Sequence, residues 1–365
     1  MAQNRRSKLL FPLCCAVSAG LLVAGLWPFN FFPANEVEWL EQKNGIHFHG
    51  HGQAYASIPW NNTQANAAAD GSFSVEIGLQ SDKNCGCVST ILTLDDPSQR
   101  KSFQIEQSIA DLVVRGHFRD ASNSSGFRSL WLDESLQKDK VRFLTLTSGP
   151  QGTALYLEGV RSRMYPLTPL ADNLRGQLLL GHSAAGKSAW AGTIFGLAIY
   201  DRALTPDEVS AHYRAWSQTK SGELAAAPGT VGLYPFDERS GNLIHNRAGS
   251  MPDLVIPKSF FTLRKRFLPR SFSFKKSDLR DAAVNIAGFM PLGLLVCAYL
   301  RGAARRSKPG AVLLTVLLGA ATSLLIELLQ VYLPSRDSSL PDVINNILGT
   351  ALGAVVLSRL TTLAP

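Results

Sequence analysis

The sequence predicts a mixed fold, an all-β sandwich joined to a four-helix transmembrane α bundle. Three observations carry this. Four apolar stretches are long enough to cross a bilayer, one near the start and three beyond residue 280. Between them, residues 45–216 alternate at period two or run in short apolar blocks punctuated by Gly, Ser and Asn. Charged residues make up 18% of the 365 and apolar ones 45%, which is lean in charge for a soluble chain of this length.

Composition also excludes some classes. The 30 Gly and 19 Pro are scattered, so the chain is not collagen-like, and its hydrophobic content is too high for a wholly disordered one. Five Cys in so long a chain cannot be a disulfide scaffold.

The spans come first. Leu9–Trp27 follows the basic start Arg5, Arg6, Lys8. Ala282–Leu300 is broken only by Asn285 and Pro291, Ala311–Leu333 carries Glu327 and Gln330, and Val343–Ser358, read as starting near Leu340, carries Asn345 and Asn346. About 20 residues at ~1.5 Å each cross the hydrocarbon core, so the first three fit and the fourth needs its polar start at the interface. A cleaved signal peptide is the rival reading of the first span. Its apolar run is longer than a usual signal core, and Trp27-Pro28-Phe29 is a poor cleavage context, so we read an uncleaved anchor. The basic N-terminus and the link Arg301, Arg305, Arg306, Lys308 point both to the cytoplasm by the positive-inside rule. The C-terminus is then also cytoplasmic, and residues 28–280 lie on the external or periplasmic side. Against this, Lys258–Arg280 holds eight basic residues with Asp278 alone opposing them, but long loops translocate largely regardless of charge.

The polar residues of the spans fall at one depth. Asp281 and Asn285 are a helical turn apart, Glu327 and Gln330 share a face at i, i+3, and Asp342, Asn345 and Asn346 open the fourth span. Arg336 and Asp337 occupy the short outer loop, and Glu327 sits about 9–10 Å from the outer end at Pro334. Burying an ionisable group in hydrocarbon costs at least about 2.5–3.5 kcal/mol, so these groups need partners or a pocket. One reading is a satisfied plug, with Arg336 pairing Glu327 or Asp342 and the amides tying helices together at about 0.6 kcal/mol a bond. The other is an outward-facing site for a polar head group. Gly349-x-x-x-Gly353 marks a close-packing face on the fourth span.

These residues carry a resemblance. Trp27-Pro-Phe-Asn-Phe, then Asp281…Asn285…Pro291-Leu-Gly293, then Glu327-x-x-Gln330, then Arg336…Asp342-x-x-Asn345…Gly349 resembles the VanZ-like family over roughly 9–35 and 278–360. That family consists of small bacterial membrane proteins, some linked to resistance to glycopeptide antibiotics. The resemblance implies a cell-envelope context but no reaction. This chain departs from the short family form by its long insert.

In the insert, Ile46-x-Phe48, Phe73-x-Val75-x-Ile77-x-Leu79, Phe103-Gln-Ile105, Val141-Arg-Phe143-Leu-Thr145 and Ala154-Leu-Tyr156-Leu read as strands of an all-β sandwich. A helical turn is expected at Thr205-Pro-Asp-Glu, where Thr205 caps and Pro206 takes the first helical position. The segment from Leu178 to Gly181 and on through Trp190…Ile194…Tyr200-Asp201…Leu204-Thr-Pro-Asp-Glu208 resembles the closing strands of laminin-G/concanavalin-A-like jelly rolls, and Gly45-Ile-His-Phe48-x-Gly50-x-Gly52 an early one. Val231–Gly241 with Asn246–Gly249 looks like the first strand of such a domain, yet follows the last. Either the jelly-roll sandwich is circularly permuted and this strand closes it, or a second domain is truncated; closure spares an unpaired apolar edge. The expected organisation is 1–35 for the start and first span, 36–257 for the sandwich, with 231–257 as its permuted first strand, 258–280 for a basic juxtamembrane linker and 281–365 for the VanZ-like region.

Such folds bind glycans or proteins, and some are hydrolases with paired carboxylates, a pattern this chain lacks. Trp60, Trp131 and Trp190 read as core aromatics or as sugar-stacking platforms. Gly181-His-Ser-Ala-Ala-Gly186-Lys187-Ser188 fits the P-loop expression, but a β pattern follows Ser188 where a helix is required, so we read a turn and no nucleotide. His47, His49 and His51 alternate along a strand and share one face, as a solvated row or a weak metal site. Same-face positions ~6.6–6.8 Å apart let one ion reach two of them more easily than three. Cys85-Gly-Cys87 is a strained spacing for a bridge. The basic, aromatic linker suits anionic lipid at about 1 kcal/mol per basic residue rather than nucleic acid.

The reading is a multi-pass protein of the bacterial inner membrane, non-enzymatic and without cofactor. Its external lectin-like domain binds a glycan or protein, and its outer-leaflet cluster contacts a lipid or glycolipid head group. The alternative is an enzyme on a lipid-linked envelope precursor, with Glu327 or Asp342 as general base.

Overall fold

The computed structural model describes residues 2–60, 72–82, 88–96, 101–120, 122, 124–170, 175–186, 188–218, 220–269, 276–302 and 306–363. Helix α1 (Ala2–Leu26) precedes the short strands β1 (Val37–Trp39), β2 (Ile46–His49) and β3 (Ala54–Ala56). Longer strands follow: β4 (Phe73–Ser81), β5 (Val88–Asp96), β6 (Lys101–Ser108), β7 (Asp111–Arg119) and β8 (Ser125–Leu132). Next come β9 (Val141–Gly149), β10 (Gly152–Leu157), β11 (Val160–Pro166), β12 (Gln177–Leu180) and β13 (Ala191–Tyr200). After α2 (Pro206–Ser217) and a 3-10 turn at Ser221–Ala226 come β14 (Thr230–Tyr234), β15 (Leu243–Ile244) and β16 (Leu254–Val255). The chain ends in α3 (Lys276–Gly302), α4 (Lys308–Gln330) and α5 (Leu340–Leu363). It divides into two units, Ala34–Leu263 and Met1–Pro33 with Arg264–Pro365.

The first unit is a jelly-roll sandwich of two antiparallel sheets. One sheet runs β1-β2-β13-β4-β9-β10-β11, and the other β15-β16-β3-β12-β5-β6-β7-β8. Alternation places Phe73, Val75, Ile77 and Leu79 of β4 in the core between the sheets, with Ile46, Phe48, Ile105, Leu178 and Ile194. Each such side chain fully buried is worth about 1.5–3 kcal/mol. Strand β14 lies beside β13, with Leu197 opposite Tyr234 and Ile199 opposite Gly232. Strands β15 and β16 extend the other sheet through β3. The residues after the closing strand thus supply both sheets.

Strand β4 differs from simple alternation, because both its faces are buried. Helix α2 and the 3-10 turn cover the outer face of the first sheet, where Ala154, Tyr156, Ala198, Tyr200, Val209 and Leu224 form a second apolar layer. The capping residues act as expected: Thr205 Oγ1 accepts the Glu208 N–H at 3.3 Å, and Glu208 Oε2 accepts the Thr205 N–H at 2.8 Å. Arg202 closes on Glu208 with two bonds of 2.7 and 2.9 Å. Residues 258–263, assigned from sequence to a linker, pack with the sandwich instead: Ser259 bridges Ala34, Phe260 is buried against His182, and Phe261 meets Tyr55 edge-on. Their aromatic side chains find ring partners there. Arg270, Phe272, Phe274 and Lys275 of that linker lie outside the described residues.

The second unit is helical. All four of its helices are long and apolar enough to cross a membrane, and the protein is a membrane protein. The third span ends at Gln330 rather than Leu333, because Val331, Tyr332 and Leu333 turn toward α5. Helices α3 and α5 meet backbone to backbone. A Cβ on Gly293 would overlap the Thr350 carbonyl, one on Gly349 that of Ile286, and one on Gly353 that of Met290. Small residues here let the helices approach closely in a medium that gives no hydrophobic drive.

Candidate functional site

The helical unit holds a cavity of about 520 Å³. Helix α3 contributes Asp281 and Asn285 to its wall, and α4 contributes Glu327 and Gln330. Arg336 and Asp337 line it from the loop, Asp342 and Asn346 from α5. Leu21, Val284, Phe289 and Ile326 give it an apolar side. Of the polar residues expected to converge, Asn345 is the exception. It lies about 100° round α5 from Asn346 and does not face the cavity.

The partners differ from those expected. Arg336 pairs neither Glu327 nor Asp342; its Nε donates to the Trp27 carbonyl at 3.1 Å. The end of α1 offers carbonyls with no partner inside the helix, and Arg336 takes one. Glu327, 2% exposed, accepts the Ser339 backbone N–H at 2.7 Å just before α5. Asn285 Nδ2 donates to Asp342 Oδ1 at 2.8 Å, and Gln330 Nε2 to the Gly25 carbonyl at 2.9 Å. Asn346 Nδ2 donates to Ser323 Oγ at 2.9 Å, while its Oδ1, buried, has no hydrogen-bond partner. Lys265 Nζ donates to the carbonyls of Gln330 and Leu333 at the end of α4, where a cation also meets the negative end of the helix dipole.

Ser339, Ser323 and Lys265 were missed by reading the sequence. Ser323 had a signal, since it precedes Glu327 by four residues and shares its face. Ser339 acts through its backbone, which no side-chain pattern shows.

In the sandwich the candidates disperse. Trp190 is fully buried and donates from Nε1 to Gln107 at 2.8 Å, and Trp60 is 4% exposed in the core. Trp131, on edge strand β8, is half-buried. The three histidines do not share one strand face as expected. Strand β2 ends at His49, and Gly50 at φ +99° breaks the alternation before His51. Each keeps its own carboxylate: His47 with Asp82 at 3.3 Å, His49 with Glu38 at 3.1 Å, His51 with Glu36 at 3.7 Å. Among the described residues no set of three ligating side chains is arranged to hold a metal ion.

The P-loop-like segment is an internal turn. Gly181, at φ +80°, accepts from the Trp190 N–H, His182 and Ser183 are buried, and Ser188 leads into β13. Burial also pulls the His182 imidazole below its ordinary pKa. Lys187, Cys85 and Cys87 lie outside the described residues.

One buried network belongs to packing. Glu76 Oε2 accepts from the Tyr200 hydroxyl at 2.9 Å and from Trp216 Nε1 at 3.3 Å, and Oε1 lies 3.1 Å from His212 Nδ1. Burial first, then the Glu76 charge, push the Tyr200 phenol far above its ordinary pKa. Helix α2 seals this cluster over β4, so it fastens the helix. Across the other sheet, Glu106 sits 3.0 Å from Arg115 Nε, and burial raises its carboxyl against that cation's pull.

The sequence profile of the VanZ/LLP1 family matches residues 229–361, and that of the concanavalin A-like lectin/glucanases superfamily matches residues 50–210. Both resemblances read from motifs are thereby borne out. No curated protein matches the chain. Among solved structures, the receptor binding domain of botulinum neurotoxin D is 16% identical over 49% of this chain and 47% of its own, with a TM-score of 0.38. The SAP-like pentraxin from Limulus polyphemus is 14% identical over 50% of this chain and 79% of its own, with a TM-score of 0.32. The chain thus spans about half the length of the neurotoxin domain it matches.

Proposed function

We propose that this membrane protein serves the bacterial cell envelope without catalysis, holding a lipid or glycolipid head group in the cavity of its helical unit. Its lectin-like sandwich, on the external side of the inner membrane, binds a glycan or protein. The observation that carries the first part is the cavity itself, walled by Asp281, Asn285, Glu327, Gln330, Asp342 and Asn346 from three apolar helices. Polar groups at that depth are costly unless paired or used, and a wall of them around open space is a binding site by default. Glycan binding rests on the concanavalin A-like match and on half-buried Trp131, since the other two candidate tryptophans are core.

An enzymatic reading, with Glu327 or Asp342 as base, draws on the same cavity. Both carboxylates are tied by hydrogen bonds, to Ser339 N–H and to Asn285, which suits holding better than proton transfer. The VanZ-like match extends the proposal to tolerance of glycopeptide antibiotics, so a deletion strain is expected to show a lowered inhibitory concentration.

Sidedness is tested with single cysteines at the exposed positions Ser162 and Ser307, after replacement of the native ones. Labelling of Ser162→Cys in intact cells, with Ser307→Cys protected, supports the external sandwich; the reverse pattern moves it to the cytoplasm and ends the envelope-glycan reading.

A further inference from the structure

We propose that the cavity of the helical unit recognises a primary ammonium group, and that its ligand is a zwitterionic amino-phospholipid head group whose phosphate meets Arg336 at the rim. This deepens, and rests on, the head-group reading above.

Three amides of the wall each commit a donor to the protein itself. Asn285 gives its amide to Asp342, Gln330 to the Gly25 carbonyl, and Asn346 to Ser323. Asp281, Glu327, Asp337 and Asp342 make the wall predominantly negative, with Arg336 at the rim. Asn346 is 4% exposed and lines the cavity, and its Oδ1 has no hydrogen-bond partner. A buried oxygen left this way asks for a donor from a ligand. Asp281, Glu327 and Asp342 surround the same space, and among the described residues neither Glu327 nor Asp342 has a basic side chain within ion-pairing distance. A carboxylate as buried as Glu327 is costly without a counter-charge, which an entering ammonium supplies together with three N–H donors.

The alternatives fit less well. A purely anionic head group would bring its charge against four carboxylates. A metal ion finds no ligand set among the described residues. Among the described residues Arg336 is the one basic side chain in the wall; it is exposed and anchored through Nε to Trp27, which leaves its terminal nitrogens for a phosphate. Leu21, Val284, Phe289 and Ile326 supply an apolar side for the hydrocarbon that follows.

The test uses the purified full chain in detergent and calorimetric titration with three short-chain lipids of equal acyl length: phosphatidylethanolamine, its N-acetylated form and phosphatidylglycerol. The expected result is saturable binding of phosphatidylethanolamine at least about ten-fold tighter than of either other lipid. Asp342→Asn, which keeps an acceptor for Asn285, is expected to weaken it about ten-fold. If that variant does not fold, Asp281→Asn, at an exposed position, is expected to weaken it in the same direction. Equal affinity for all three lipids overturns the ammonium assignment and leaves the head-group pocket standing. No saturable binding by any of them overturns both. Soluble phosphoethanolamine binding as tightly as the lipid overturns the membrane as source.

Discussion

The carboxylate of Glu327, inside a membrane-spanning helix, accepts the backbone N–H of Ser339 at 2.7 Å, directly before the next helix begins. One side chain thus satisfies a donor that the start of α5 would otherwise leave open, and it ties the end of α4 to the start of α5. The expected counter-ion, Arg336, is engaged elsewhere.

Glu327→Ala therefore removes a structural bond as well as a charge. Leaving the Ser339 N–H without a partner costs about 1–3 kcal/mol. The variant should show reduced abundance in the membrane and a lower unfolding midpoint in detergent. Glu327→Gln retains an acceptor and should keep most of both; equal losses in the two variants would mean that the charge, not the bond, matters for folding.

The contact of α3 with α5 depends on absent side chains. Gly349→Leu forces the helices apart at the Ile286 carbonyl, and overpacking of this kind costs about 1–3 kcal/mol or more. Thermal unfolding of the purified protein should show it, while Gly288→Leu, at a position with open space, should leave the midpoint unchanged.

Glu76 is the fastening of α2 on the first sheet. Glu76→Ala strands the Tyr200 hydroxyl and the Trp216 indole N–H, each worth about 1–3 kcal/mol when buried and unpaired. Tryptophan fluorescence during denaturant unfolding should report a loss of about 2–6 kcal/mol in total. A loss below the smaller of these figures would show that water reaches the cluster.

Glu208 gives an acid-dependent term. Hydrogen bonds from Arg202, and then the Thr205 backbone and hydroxyl, hold its carboxyl at about 2, below its ordinary 4.5. Between those values the unfolded chain binds more protons than the folded one, so stability rises with pH there. The contribution is complete above pH 4.5 and lost as pH falls toward 2. Comparison of the parent with Glu208→Gln by thermal unfolding should show a gap of about 0.5–1 kcal/mol at pH 7, small because the pair is partly solvated, that closes with acid. A gap that persists at the lowest pH would assign it to the capping geometry alone.

The four spans, the alternating core of β4 and the cap of α2 were legible in the sequence because each depends on neighbours within a turn or two. Apolar length decides a span, a two-residue period decides which side of a strand is buried, and Thr205 with Glu208 makes a cap wherever the chain turns helical. The convergence of Asp281, Asn285, Glu327 and Asp342 at one depth was legible for the same reason, since depth is counted along each helix.

What only the tertiary structure decided is who meets whom. Glu76 looks like the solvent-facing residue of an alternating strand, and it is buried because α2, which begins at Pro206, folds over it. Arg336 looks like the partner of Glu327, and it bonds the end of α1 instead. His51 looks like the third of a row, and one glycine ends the row before it. Asn346 looks like any amide of a packed span, and only the arrangement of the helices buries its oxygen without a hydrogen-bond partner in a residue that lines the cavity. Local composition sets what each segment can bury and how deep it sits; the pairing of polar groups across segments is settled by which backbone carbonyl or N–H arrives within 3 Å, and that is a property of the packed chain.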